Sequence, residues 1–78
     1  MASLHPDAIA RAVELGATEH REGINWCWCS GFPTHEAAEQ FDKWCMANGY
    51  ETRGVYGPYL PGETTSAVRF RKDSDIVW

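Results

Sequence analysis

Apolar positions repeat with two different periods along this chain. In HPDAIARAVELGA, residues 5–17, Ala8, Ile9, Ala12, Val13 and Gly16 recur every three or four residues and mark one stripe of a helix. Pro6 suits a first helical turn, Asp7 complements the positive end of the helix dipole, and Gly16 is placed to end the element. A helix of about ten residues is marginal alone, so this one must dock on something. TEHREG follows as a polar connector. INWCWCSGF, residues 24–32, then changes the period to two. Ile24, Trp26 and Trp28 share one side of a strand, and Asn25, Cys27 and Cys29 share the other.

PTHEAAEQFDKWCMANGY returns to the helical period. Thr34 is a good N-cap and Glu36 sits in the first turn. Ala37, Ala38, Phe41, Trp44, Cys45 and Asn48 fall on one face, while Glu36, Glu39, Asp42 and Lys43 face elsewhere. Gly49 suits a left-handed C-cap, with Tyr50 as the apolar contact beyond it. YETRGVY and TSAVRFRK read as two further strands, joined by GPYLPGETT, a loop dense in Gly and Pro. DSDIVW offers a short C-terminal edge strand, or a return of Trp78 onto the body.

The order α-β-α-β-β predicts an α+β fold in a single domain spanning residues 1–78. An N-terminal helix precedes a β-α-β-β unit, half of a ferredoxin-like arrangement. A right-handed crossover makes the first two strands parallel, with the third between them and antiparallel. The second helix covers one face of this three-stranded sheet. The first helix either joins it or covers the Trp26/Trp28 face. Phe41, Trp44, Cys45, Val68 and Phe70 are the predicted core.

Size sharpens this picture. A chain of 78 residues buries only roughly 60–65% of its unfolded surface, so nearly every large side chain is needed in the core. Four Trp, three Tyr and three Phe suit that demand. The net charge of −4 argues against a general polyanion binder, so direct nucleic-acid binding is not the first expectation. The charge is uneven. Residues 1–50 carry seven acids and three bases, and residues 51–78 carry four of each. Three Cys is an odd number, and Cys27 and Cys29 are too close for an easy bridge. MASLHPDAIARAV lacks the basic and long apolar regions of a secretory signal, and no apolar run could span a membrane. Free thiols in a cytoplasmic protein are therefore expected.

The candidate chemistry is thin. Cys27, Cys29 and Cys45 with His20 or His35 could supply soft metal ligands, but CWC leaves one residue between cysteines where zinc pairs leave two to four. Strand side chains two apart also sit about 6.5–7 Å from each other. Core filling is the simpler reading of these cysteines, with no metal. HEAAE places Glu39 where a metalloprotease helix has its second His, so His35 and Glu39 read as a helix-face pair. No nucleophile elbow, P-loop or dinucleotide fingerprint occurs, and neither catalysis nor a cofactor is expected. Trp26, Trp28, Arg53, Arg69 and Arg71 form an alternative. By alternation the arginines share a sheet face beside the tryptophans, the combination that holds single-stranded nucleic acid. The simpler reading pairs these arginines with Glu51, Glu63 or the acidic half.

In size, acidity and lack of catalytic motifs the chain resembles the small inhibitors encoded by phages and other mobile elements, anti-CRISPR proteins included. The resemblance covers those general features only. It implies a small acidic module that binds a protein partner and occludes the working surface of a larger nucleic-acid-handling complex. The contact candidates are then Glu36, Glu39 and Asp42 on the helix, with Tyr56, Tyr59 and Leu60 at the loop.

Overall fold

A computed structural model describes residues 3–57 and 66–72. The elements in chain order are α1 (Pro6–Glu14), β1 (Glu19–Glu22), β2 (Cys27–Phe32), α2 (His35–Ala47), β3 (Tyr50–Tyr56) and β4 (Ser66–Lys72). The strands form one sheet in the order β1-β2-β4-β3, every neighbouring pair antiparallel. β2 and β3 therefore run the same way with β4 between them, as the crossover requires. The fold is α+β, with two helices among the described residues.

Among the described residues the sheet has four strands rather than three. Residues 19–22, expected as connector, pair with β2 from Glu19↔Ser30 to Glu22↔Cys27. EHRE is wholly polar, so it shows no alternation to read. It needs none, because an edge strand can form from its ladder bonds alone, and charged residues on an edge discourage pairing with other chains. Thr18 N–H already donates to Ser30 O at 2.9 Å just before the strand begins. β2 in turn starts at Cys27, leaving Ile24 in the connecting turn, 81% exposed. The C-terminal DSDIVW lies outside the described residues.

Local chemistry sets the helix ends. Thr34 Oγ1 accepts from the Ala37 N–H at 3.0 Å, which caps α2. Gly49, just past the α2 C-cap Asn48, has φ +82°, a conformation that favours glycine. α1 has no side-chain cap. Pro6 occupies its first turn, and the His5 carbonyl accepts from Ala8 and Ile9.

Both helices lie on the same side of the sheet. Ala8 and Ala12 of α1 are fully buried in one core with Ala38, Phe41 and Cys45 of α2 and with Cys27, Cys29, Phe32, Val68 and Phe70 of the strands. Phe41 is its centre. Its ring lies 5.4 Å from Phe32, 5.3 Å from Phe70 and 6.0 Å from Trp44, centre to centre. Trp44 is only half-buried, at the rim, where it stacks on Tyr50 at 5.8 Å. The Tyr50 hydroxyl donates to Asp7 Oδ1 at 2.8 Å and ties β3 to the start of α1. Among the described residues, no helix is long and apolar enough to cross a membrane.

Candidate functional site

With α1 and α2 on one face, no described element packs on the other. Alternation along β2 and β4 decides what that face carries. Cys27↔Phe70 and Cys29↔Val68 are core pairs, so Trp28↔Arg69 and Ser30↔Ala67 point the opposite way. Arg21 lies beside Trp28, and Glu51 beside Arg71. Two glycines interrupt the alternation. At Gly31, φ +85°, the β2–β4 register shifts, and Phe32 enters the core instead of following Ser30 outward. At Gly54, φ +85°, the β3–β4 register shifts between Thr52 and Val55. Each is a bulge that uses glycine's freedom in the left-handed region. The second has a consequence for the surface. Val55 turns to the core, and Tyr56 joins Ala67 on the open face.

The result is an interleaved set of rings and guanidinium groups. Arg71 Cζ stands 4.2 Å from the centre of the Trp26 ring, and Arg53 Cζ stands 5.6 Å from it. Arg69 bridges two rings, 5.7 Å from Trp28 and 5.0 Å from Tyr56. These distances suit cation–π attraction, which also fixes the long side chains. Arg71 Nε donates to Glu51 Oε2 at 3.0 Å. Arg53 and Arg69 have no carboxylate partner among the described residues, so two cations on this face remain available. Trp28, Ser30, Tyr56, Ala67, Val68 and Arg69 line an open depression of about 250 Å3.

The five residues Trp26, Trp28, Arg53, Arg69 and Arg71 are thus brought together. Tyr56 belongs with them, which plain alternation hides, because Tyr50 and Thr52 face the core. Gly54 within a strand was the available signal. The described protein-contact candidates lie on two faces of the molecule. Glu36 and Glu39 are exposed on α2, across the sheet from Tyr56, and Glu39 pairs with His35 at 3.0 Å. Asp42, expected to be exposed, is half-buried. Its Oδ1 is shielded from solvent without a hydrogen-bond partner among the described residues. Tyr59 and Leu60 lie outside the described residues, as does Glu63.

The cysteines sit on the core side. Cys27, Cys29 and Cys45 are all fully buried. Burial pushes the Cys29 thiol up to about 12, with the neighbouring Cys27 adding to the shift. Burial likewise pushes Cys45 far up, reinforced by Cys29, Asp42 and Asp7. His20 Nδ1 lies 3.1 Å from Cys29 Sγ, across the β1–β2 pair. A thiol held protonated is a poor nucleophile and a poor ligand, so this contact serves packing. Among the described residues, no three His, Cys, Asp or Glu side chains come together as a metal site. Comparison with family models, with curated proteins and with solved structures finds no match for this chain.

Proposed function

We propose that this chain is a binding protein whose working surface is the open face of its sheet, and that the surface takes single-stranded nucleic acid. The carrying observation is the convergence of Trp26, Trp28 and Tyr56 with Arg53, Arg69 and Arg71 on a face that no described element covers. Half-buried rings on an open face offer stacking to unpaired bases, and guanidinium groups contact the phosphates between them. Overall acidity argues the other way, but charge is sorted by face. Among the described residues, Arg21, Arg53, Arg69 and Arg71 outnumber Glu19 and Glu51 on the open face, while the helices carry Asp7, Glu14, Glu36, Glu39 and Asp42 against Arg11 and Lys43. A strand on the sheet meets a locally basic surface, with the acidic layer on the far side.

The test is fluorescence anisotropy with labelled single-stranded oligonucleotides across a salt series. Two neutralised phosphates, at Arg53 and Arg69, give a slope of log affinity against log salt of about −1.4, at roughly 0.7 per phosphate. Arg69→Ala with Arg71→Ala should flatten that slope and weaken binding at least tenfold. Absence of binding by the wild type, or binding indifferent to both substitutions, would overturn the proposal.

A second reading rests on the exposed carboxylates of α2. Glu36 and Glu39 give the helix layer an acidic outer side that could cover a basic groove on a protein partner, as the resemblance to small mobile-element inhibitors implies. Here Glu39→Lys should release a captured partner without unfolding the domain, and the arginine substitutions should leave capture intact.

A further inference from the structure

We infer that the depression between Trp28 and Tyr56 is a subsite for one unpaired nucleobase, which rests on the proposed nucleic-acid reading and gives it a centre. The depression arises from side-chain size. Across the open face one row runs Glu19, Ser30, Ala67, Tyr56 from β1 to β3. Ser30 and Ala67 are the small members at its middle. Trp28 and Arg69 form the next row and stand above them. Val68 points its side chain into the core, so it can offer the floor only main chain. The walls are therefore a Trp ring, a Tyr ring and a guanidinium plane, with one hydroxyl at the base.

Its size narrows the occupant. Sites for drug-sized ligands run from about 300 to 1,000 Å3, and this depression, at about 250 Å3, falls just below that range. It suits a single flat ring system. Charge narrows it further. Arg69 leans over both rings at 5.7 and 5.0 Å and has no carboxylate partner among the described residues. Its guanidinium can stack on the inserted base or hold the phosphate attached to it, and a base flanked by phosphates satisfies both capacities. Ser30 Oγ can donate to or accept from the base edge.

Filling the depression tests this. Ala67→Leu adds bulk on the open face and leaves the buried side of β4 alone. Ser30→Leu fills the same space from β2, and Ala67→Ser keeps it open. The probes are an eight-nucleotide thymidine strand and a strand of equal length lacking every base, with folding of each variant checked by circular dichroism. The wild type should bind the thymidine strand more tightly than the abasic one. Ala67→Leu and Ser30→Leu should each lower thymidine-strand affinity about tenfold, the scale of one lost base stack, and leave abasic-strand affinity unchanged. Ala67→Ser should behave as the wild type. Folded leucine variants that bind the thymidine strand at wild-type strength would overturn the subsite while leaving nucleic-acid binding standing. No wild-type binding to either strand would overturn both.

Discussion

Phe41 meets aromatic rings from β2, from β4 and from its own helix. Its replacement by Ala should therefore cost about 3–5 kcal/mol, a large share of the 5–15 kcal/mol typical of whole domains. A urea midpoint unchanged by Phe41→Ala would show that this helix face is not the core. The buried thiols make a pH prediction. Cys29 titrates at about 12 in the fold against 9.0 for a free thiol. Because the folded value is raised, the stability tied to this thiol is fully present below pH 9 and is lost as pH rises toward 12. The urea midpoint should fall from pH 9 upward, and Cys29→Ala should make that decline shallower. An equal decline in both proteins would contradict the assignment. These buried residues were legible in the sequence because each repeats at the period of its own element. Asp42 was not, since its place on the helix wheel is polar and its shielded oxygen depends on tertiary packing.

At the scale of elements, the two helices, their caps and strands β2, β3 and β4 follow from periodicity and punctuation. β1 does not, because EHRE has no apolar position to alternate, and its pairing comes from the hairpin it forms with β2. The bulges at Gly31 and Gly54 were also out of reach of simple alternation, which would put Phe32 outside and Tyr56 inside. The two glycines should respond differently to substitution. A Cβ at Gly54 meets nothing within 4 Å, so Gly54→Ala bears only the left-handed backbone penalty, about 1–2 kcal/mol. A Cβ at Gly31 would overlap the Thr18 side chain, so Gly31→Ala should destabilise more. Thermal denaturation of both variants checks the order. A neutral Gly54→Ala would mean that β3 pairs without the bulge, and Tyr56 would then leave the open face.

For the whole molecule, the sequence reads as an acidic half followed by a balanced half, whereas folding sorts charge by face. β1 and β3 bring Arg21 and Arg53 to the same side as Arg69 and Arg71, and the helices carry five of the eight acids among the described residues to the other. Net charge is blind to such sorting, which is why composition pointed away from nucleic acid and geometry points toward it. On the proposed reading the partner sits on the open sheet face and not on the acidic helix layer. A chemical-shift map of the 15N-labelled protein, titrated with a single-stranded oligonucleotide near physiological salt, tests it most directly. Shifts should concentrate on the indole N–H groups of Trp26 and Trp28 and on the amides of Arg53, Tyr56, Ala67, Arg69 and Arg71, with Glu36 and Glu39 unmoved. Shifts confined to α2, or no shifts at saturating oligonucleotide, would contradict it.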